Sequence, residues 1–263
     1  MKKIVLTIAG SDSSGGAGIQ ADIKSIEANG SFAMSVITMI TSQNSHEIRS
    51  VQQIDLNVIE DQIDVLFEDY NIEAIKIGAL LNKDVIKLVA RKLKEHKGKK
   101  IILDPVMISK SKEKLLKDDS VETLRVEFSK ITTLITPNIP ETEILIGKEI
   151  NTVEDMIEAS FILQKYGYKN VLIKGGHLEG KDMIDILNLE GQKVIKIKNA
   201  KIDTKDTHGT GCTLSSAIAS IHSRNENLRE SVEEAIEYTQ VGIKNALRIG
   251  KGSGPLNHFV ERK

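Results

Sequence analysis

Short apolar runs rich in β-branched residues alternate along the chain with longer segments of helical period. In those longer segments apolar residues recur every three or four positions, and Val85, Ile86, Val89 and Leu93 form one such helical face. The six runs predicted to be strands are Ile4–Ala9, Ser35–Thr41, Ala74–Ile77, Lys100–Asp104, Thr133–Thr136 and Val171–Lys174. Strands that are apolar throughout are typical of a parallel sheet buried on both faces. The pattern therefore predicts an α/β fold, with a mainly parallel sheet covered by helices on both sides.

The second half of the chain adds further elements. Thr152 and Asp155 have the spacing of a capping box, which predicts the start of a helix. A β-hairpin is predicted from the strands Ile184–Leu189 and Val194–Ile197. Two late helices are predicted at Gly211–Ser223 and Ser231–Leu247. No Pro/Gly/Ser-rich linker, internal repeat or low-complexity tract interrupts the sequence, so we expect one domain over residues 1–263.

Composition narrows the classes of function. Lys and Arg number 36 against 37 Asp and Glu, so the net charge of −1 offers no general attraction to nucleic acid or anionic lipid. Aromatic residues make up 3% of the chain, too few for base-stacking surfaces. No apolar run is long enough to span a bilayer. Because Cys212 is the only cysteine, we expect no internal disulfide and a cytoplasmic protein. From the charge, the aromatic content and the apolar runs, we expect neither nucleic-acid nor membrane partners.

Ligands of parallel α/β sheets bind beyond the carboxyl ends of the strands, so the residues that follow each strand carry the candidate chemistry. After the first strand, the run from Gly10 to Gly18 is rich in glycine but matches neither the dinucleotide nor the P-loop spacing. A tight turn and a ligand-binding loop are equally compatible with that run. After the second strand, the side-chain amide of Gln43 either pairs with a heteroaromatic ring or lies in a solvated loop.

Acidic and basic residues follow the later strands. Asp104, Asn138 and Glu141 would supply the oxygen ligands that magnesium prefers, although for Asp104 a capping role is an equal alternative. Lys174 is a candidate cation for nucleotide phosphates.

The most informative stretch runs from Asp206 to Thr213. Consecutive amides at Gly209, Thr210, Gly211 and Cys212, placed at a helix start, would form an anion hole for a transferred phosphoryl group. We expect the same helix dipole to lower the pKa of the Cys212 thiol. The alternative is a buried structural cysteine.

Together these residues resemble the hydroxymethylpyrimidine/phosphomethylpyrimidine kinases of thiamine biosynthesis, in the ribokinase-like superfamily. The resemblance extends from Ile4 to Phe259. The matching motifs are Ala9-Gly10-Ser11-Asp12, Gly15-Gly16-Ala17-Gly18-Ile19-Gln20-Ala21-Asp22, Gln43-Asn44, Lys76-Ile77-Gly78, Asp104-Pro105-Val106-Met107, Thr136-Pro137-Asn138, Lys174-Gly175-Gly176-His177, His208-Gly209-Thr210-Gly211-Cys212-Thr213 and Gly252-Ser253-Gly254-Pro255-Leu256-Asn257-His258.

The resemblance implies a three-layer α/β/α sandwich and a homodimer. It implies transfer of the ATP γ-phosphate, with Mg²⁺, to 4-amino-5-hydroxymethyl-2-methylpyrimidine and then to its monophosphate. The implied substrate-binding residues are Gly10, Asp22, Gln43, Ala79 and Val106. The implied nucleotide-binding residues are Lys174, Asn138 and His208, and the implied metal ligands are Asp104 and Glu141. Gly209–Cys212 would form the anion hole, with Cys212 as the base of the first step.

Two departures from the family pattern bear on a second function, in opposite directions. Ala79 stands where the family usually has methionine after Lys-Ile-Gly, which predicts a wider pocket and less strict selectivity for the pyrimidine. Ser109 and Lys110 lie in a segment, Ile108–Lys112, that is expected to act as a flap and carries a second cysteine in related dual-specificity pyridoxal kinases. Because Cys212 is the only cysteine, the two-cysteine mechanism of those kinases is excluded. A pyridoxal/pyridoxine kinase is therefore the alternative rather than the first expectation, and a ligand sensor without catalysis is a more distant one.

Overall fold

Strands and helices alternate through most of the computed structural model, which describes residues 2–107, 115–176 and 182–260. The strands are β1 Ile4–Asp12, β2 Phe32–Gln43, β3 Ile48–Gln53, β4 Ile72–Ile77, β5 Lys100–Leu103, β6 Leu134–Ile135, β7 Val171–Ile173, β8 Asp182–Asn188 and β9 Ile195–Ala200. The helices are α1 Gly18–Ala28, α2 Leu56–Asp69, α3 Lys83–Glu95, α4 Val121–Phe128, α5 Ile139–Ile146, α6 Val153–Lys165, α7 Thr210–His222 and α8 Leu228–Lys244, with a 3₁₀ turn at Asp118–Ser120.

All described strands belong to one sheet, in the order β3-β2-β1-β4-β5-β6-β7-β8-β9. The strands from β2 to β7 in that order are parallel, and they are the six that the apolar runs predict. The predicted hairpin is confirmed as β8 and β9, which pair antiparallel. The sheet is therefore mainly parallel, as expected.

Two apolar cores lie on opposite faces of the sheet, because successive residues of a strand point to opposite sides. In β4, Ile75 and Ile77 face a core shared with α2 to α6, whereas Ala74 faces a core shared with α1, α7 and α8. Helices thus cover both faces, and the expected three-layer α/β/α sandwich is confirmed.

Some boundaries differ from the sequence-based expectation, for local reasons. The last helix begins at Leu228 rather than Ser231, because the Asn227 side chain accepts the N–H of Glu230 as an N-cap, and it ends at Lys244. Strand β3 was not predicted. It pairs antiparallel with β2 at the edge of the sheet, and its outward-facing residues are mostly polar. Among the described residues, no helix is long and apolar enough to cross a membrane.

Candidate active site

A cavity of about 900 Å³ opens at the carboxyl ends of the parallel strands. Of the residues predicted to form the site, all except Asp22 line it: Gly10, Gln43, Ala79, Val106, Asp104, Asn138, Glu141, Lys174, His208, Gly209, Thr210, Gly211 and Cys212. Residues from seven different loops and strand ends therefore meet at one place, as the rule for parallel sheets predicts. The expected flap and His177 lie outside the described residues.

Asp22 lies beneath the cavity rather than in its wall. Its side chain has no exposed area, and its two carboxylate oxygens each lie 2.8 Å from the Lys76 ammonium. Thr7 and Ser216 donate their hydroxyl protons to the same carboxylate, at 2.6 and 2.7 Å. The expected direct contact between Asp22 and the substrate is therefore corrected, since Asp22 pairs with Lys76, and Lys76 is the member of the pair that lines the cavity.

The glycine-rich loop after β1 is a ligand-facing loop and a tight turn at once. Gly18 has a φ of +56°, and a Cβ there would lie 2.4 Å from the carbonyl oxygen of Gly10, so a side chain is excluded. The backbone N–H of Gly18, the first residue of α1, donates to the thiol of Cys212. The starts of α1 and α7 therefore meet at the Cys212 sulfur.

The expected anion hole lies at the first turn of α7. Gly209 precedes the helix with a φ of +76°, and a Cβ there would lie 1.8 Å from the Gly16 carbonyl oxygen. Amides of a first helical turn lack partners within the helix and point to the ligand side. The Thr210 amide is directed to the Thr207 carbonyl at 3.4 Å, so Gly209, Gly211 and Cys212 supply the better-placed donors.

Burial raises the pKa of the Cys212 thiol to about 12. The Lys76 ammonium and the Gly18 amide oppose that rise, whereas the carboxylates of Asp22 and Asp104 add to it. Cys212 is half-buried in the cavity wall, and the direction of this shift is opposite to the one expected from the helix dipole. A helix terminus contributes about 0.3–1 kcal/mol, and desolvation of a buried group contributes several times as much.

Asp104 and Lys174 form an ion pair beside the anion hole. Lys174 Nζ lies 2.9 Å from Asp104 Oδ1, and Asp104 is 2% exposed. A Cβ on Gly211 would lie 3.3 Å from Lys174 Nζ and 3.4 Å from Asp104 Oδ2, so the glycine keeps both groups open to the α7 amides. The cation, the carboxylate and the anion hole expected for phosphate binding are thus within contact of one another.

Asn138 and Glu141 start helix α5 with a capping box. The Asn138 side chain accepts the Glu141 N–H at 2.9 Å, and the Glu141 carboxylate accepts the Asn138 N–H at 2.9 Å. Burial raises the pKa of Glu141 to about 7, with Asp104 adding to the rise and Lys174 opposing it. Both residues therefore have a structural role as well as a place in the cavity wall.

The donor set of this region fits magnesium. No group of three or more His, Cys, Asp and Glu side chains within residues 2–107, 115–176 and 182–260 is arranged to hold a metal ion. Asp104 and Glu141 are two hard carboxylates, and the charge of Asp104 adds to the raised pKa of Glu141. Magnesium is typically bound through one or two carboxylates with substrate phosphates and water. The pair suits a metal that arrives with a nucleotide.

His208 contacts two residues, Asp12 and Gln43, rather than the Lys174 and Asp104 pair. Its Nε2 is 2.8 Å from Asp12 Oδ2 and 3.4 Å from the Gln43 amide, both in the part of the site expected to hold the pyrimidine. Its backbone N–H donates to Gly254, in the segment that follows α8. The expected contact of His208 with the nucleotide is therefore corrected to a place at the acceptor pocket.

Sequence reasoning missed Asp185 and the wall supplied by α8. Asp185 on β8 is 2% exposed, lines the cavity and accepts the Gly175 N–H at 2.8 Å, so it braces the turn that carries Lys174. Burial raises the pKa of Asp185 to about 6. An acid between Ile184 and Ile186 of a predicted strand was the available signal. Nothing in the sequence of α8 distinguishes Thr239 and Gln240, which also line the cavity, from other helix residues.

Comparison with known proteins gives consistent results. The family model described as phosphomethylpyrimidine kinase matches residues 12–257. The hydroxymethylpyrimidine/phosphomethylpyrimidine kinase of Bacillus subtilis is 41% identical over 258 residues, which cover 98% of this chain and 95% of that protein. A thiamine biosynthesis bifunctional protein of Geobacter sulfurreducens is 40% identical over 256 residues, covering 97% of this chain and 52% of that protein.

One highly similar solved structure is that of a kinase named for a different substrate. The ADP complex of Bacillus subtilis pyridoxal kinase superposes with a TM-score of 0.91 at 35% identity, covering 98% of both chains. The fold is therefore shared by kinases named for the pyrimidine and for pyridoxal.

Proposed function

The chain belongs to the phosphomethylpyrimidine kinase family, and we propose how its cavity performs the reaction of that family. It is a phosphotransferase that phosphorylates 4-amino-5-hydroxymethyl-2-methylpyrimidine and then the resulting monophosphate, in thiamine biosynthesis. ATP is the phosphate donor, in keeping with relatives solved with ADP and an ATP analogue.

The observation that carries the assignment of roles is the position of Cys212 between two groups of residues. On one side, Lys174 and Asp104 lie against Gly211. On the other, the Gly18 amide joins the sulfur to the loop that carries Gly10. We assign the triphosphate to the first side and the pyrimidine to the second, so that the acceptor oxygen faces the γ-phosphorus near the sulfur.

The acceptor pocket is formed by Gly10, Gln43, Ala79 and Val106, and His208 belongs to it as well. The Gln43 amide presents both a donor and an acceptor to the ring edge. Ala79 is 8% exposed and faces the cavity with a single methyl group, so it sets the width of the pocket at that wall.

The triphosphate side stabilises charge. Lys174 contacts phosphate oxygens, and the amides of Gly209, Gly211 and Cys212 bind the oxygens of the transferred phosphoryl group, where negative charge is concentrated. Asp104 and Glu141 would hold Mg²⁺, which would supply positive charge to neutralise the nucleotide phosphates. Asn138 shapes this wall by capping α5.

In the first step the acceptor hydroxyl oxygen forms a bond to the γ-phosphorus as the bond to the ADP oxygen breaks, and the hydroxyl proton must leave. We propose that the Cys212 sulfur, as a thiolate, accepts that proton. The transition state of phosphoryl transfer is loose and needs the proton removed late. Since burial favours the protonated thiol, the sulfur, which lines the open cavity, must first release its own proton to solvent before it can act as a base. In the second step the attacking group is a phosphate oxygen, which needs no base.

The test is ADP release with Mg-ATP and four acceptors offered separately: hydroxymethylpyrimidine, its monophosphate, pyridoxal and pyridoxine. Turnover of both pyrimidines with little on the vitamers is the expected result. ATP binding without ADP release on any acceptor would identify a sensor and contradict the assignment.

Pyridoxal kinase activity is the second candidate, favoured by the small side chain of Ala79 and by the TM-score of 0.91 with a pyridoxal kinase. Ala79→Met narrows the pocket and should reduce pyridoxal turnover more than pyrimidine turnover. Equal effects on both would separate Ala79 from substrate choice.

We further propose that the chain folds as one domain and forms a homodimer. We also propose that it works in the cytoplasm, where ATP is present. A single sheet joining strands from residues 4 to 200 supports the one domain. Sedimentation analysis tests the dimer directly.

A further inference from the structure

Four polar side chains at the acceptor end of the cavity form a continuous network: Asp12, His208, Gln43 and Thr41. Asp12 Oδ2 lies 2.8 Å from His208 Nε2, and the Gln43 side-chain amide, placed with Nε2 toward the histidine, lies 3.4 Å from the same nitrogen. The Oε1 end of the amide lies 3.2 Å from Thr41 Oγ1, and a 180° turn of the amide exchanges the two ends at the same distances. Every member faces or borders the cavity.

Asp12 is a carboxylate and can only accept. It is 2% exposed and accepts the backbone N–H groups of Ser14 and Ala17 and the Ser14 hydroxyl. Burial opposes ionisation, but the hydrogen bonds from His208, Ser14 and Ala17 hold the pKa of Asp12 below its ordinary value. Since both carboxylate oxygens accept, the hydrogen between Asp12 and His208 belongs to Nε2 of the histidine.

A protonated Nε2 cannot accept a hydrogen bond, so the end of the Gln43 amide that faces it must be the oxygen. With the amide NH₂ in that place, two donors would face each other. The contacts at the other end of the Gln43 amide lead independently to the same orientation. The Thr41 hydroxyl already donates to the Ser11 carbonyl at 2.9 Å, so Thr41 Oγ1 offers lone pairs to Gln43 and calls for the NH₂ group.

The histidine ring is itself fixed in place. A Cβ on Gly16 would lie 2.3 Å from His208 Cδ2 and 3.3 Å from Pro255 Cβ, so the ring packs directly on the loop backbone. The His208 backbone N–H donates to the Gly254 carbonyl at 3.1 Å. The ring therefore cannot turn away from Gln43 without moving two segments of chain.

We infer that His208 is a positioning residue that fixes the orientation of the Gln43 amide and thereby determines which ring edge the acceptor pocket accepts. The inference rests on the proposed function for the identity of the ring. With its orientation fixed, Gln43 keeps one free N–H on the Thr41 side and one free lone pair on the His208 side.

This fixed order of donor and acceptor matches an amidine-type edge, in which a ring nitrogen acceptor lies next to an exocyclic amino donor. The aminopyrimidine has that edge. Pyridoxal has no amino group beside its ring nitrogen, and its formyl oxygen can only accept, so it does not present this order of donor and acceptor. A free amide would turn to suit either ring, whereas one locked by His208 favours the aminopyrimidine.

The direct test is the protonation of His208 in the protein labelled with ¹⁵N-histidine. The chain has six histidines, and the His208 signals are those missing from the spectrum of His208→Gln. We expect a hydrogen on Nε2 at neutral pH, without any ligand. An Nε2 without hydrogen would overturn the inference, whatever the enzyme phosphorylates.

The functional test compares His208→Leu with His208→Gln, whose side-chain NH₂ reproduces the Nε2 donor. For His208→Leu we expect the ratio of kcat/KM for hydroxymethylpyrimidine to that for pyridoxal to fall about tenfold, mostly through KM, because the N–H that disfavours an NH₂ group at that end of the Gln43 amide is lost. His208→Gln should keep most of the ratio. Thr41→Val, which removes the partner at the other end of the amide, should lower it in the same direction.

An unchanged ratio in both His208→Leu and Thr41→Val, with the two acceptors losing activity alike, would mean that these residues only support the fold, and would overturn the inference. If neither pyrimidine is a substrate, the proposed function fails, and the ¹⁵N spectrum still decides whether His208 orients Gln43.

Discussion

His258 Nε2 lies 3.1 Å from Thr213 Oγ1, at the residue that follows Cys212 in helix α7. Both side chains are buried, and the Tyr238 hydroxyl donates to the His258 carbonyl at 2.8 Å. Burial lowers the pKa of His258 to about 4, and the positive charge of Lys24 adds to the shift. The imidazole is therefore neutral at physiological pH and accepts the Thr213 hydroxyl.

Because of this lowered pKa, the free energy of unfolding should decrease as the pH falls into the acid range. The unfolded histidine binds a proton at its ordinary value near 6.5, whereas the folded one binds it near 4. The contribution of His258 to the free energy of unfolding is complete above pH 6.5 and is lost as the pH falls towards 4. The loss at pH 5.5 is about 1–1.5 kcal/mol. Urea unfolding of the wild type and of His258→Gln should give curves of stability against pH that converge towards acid. Parallel curves would show that His258 is not the group responsible.

The buried ion pair of Asp22 and Lys76 should be far more important for stability than any surface pair. In Asp22→Asn the Lys76 ammonium stays buried without its counter-charge, and we expect a loss of about 3–5 kcal/mol in the free energy of unfolding. Glu158→Gln, which breaks the exposed pair with Lys148, is the control and should change stability by less than about 1 kcal/mol. Similar losses in the two variants would contradict this account.

Replacing the sulfur should separate the two phosphorylations. Cys212→Ser removes the proposed base and should lower kcat of the first step by about 10²–10³-fold, while the second step, with a phosphate oxygen as nucleophile, should change little. Asp104→Asn is the matched control, because both steps use the same nucleotide site and should suffer alike. Rates are measured with each pyrimidine supplied separately. Equal losses in both steps for Cys212→Ser would remove the base from the mechanism.

The raised pKa of Cys212 predicts slow alkylation in the empty enzyme. Only the thiolate reacts, so the iodoacetamide rate at neutral pH should lie well below that of a free cysteine. Below a pKa of about 12 the rate should rise about tenfold for each pH unit while the protein stays folded. Mass spectrometry against time measures it. A rate that levels off near pH 7 would mean that the site stabilises a thiolate.

A buried hydroxyl without a partner offers a stabilising substitution. Among the residues that the structure describes, the Tyr168 hydroxyl accepts and donates no hydrogen bond, and the residue has no exposed area. Tyr168→Phe should raise the free energy of unfolding by up to about 1 kcal/mol. Tyr238→Phe is the control and should lower it by about 1 kcal/mol, since its hydroxyl bonds the His258 carbonyl. A loss in Tyr168→Phe equal to that in Tyr238→Phe would show that the hydroxyl has a partner.

The apolar runs were sufficient to predict the parallel strands because burial on both faces leaves a strong pattern in sequence. Edge strand β3 has one polar side and no such pattern. The site residues were found because the ends of parallel strands meet at one edge of the sheet, so their position along the chain places them together.

Roles were harder to predict than positions. Asp22 has a motif position typical of a ligand contact, but only packing shows that Lys76, Thr7 and Ser216 occupy its carboxylate. Asn138 and Glu141 have the same three-residue spacing as the capping box at Thr152 and Asp155, so their second role was visible in the sequence. The pKa of Cys212 was not, because it depends on how much protein surrounds the sulfur.

The contacts of His208 join parts of the chain that are far apart in sequence. His208 Nε2 lies 2.8 Å from Asp12 Oδ2, 196 positions away, and the His208 backbone N–H donates to the Gly254 carbonyl. Contacts of long sequence separation require a large part of the chain to be ordered before they form, so this end of the cavity should take shape late in folding. Discrimination between acceptor rings is therefore a property of the whole fold and not of a local segment.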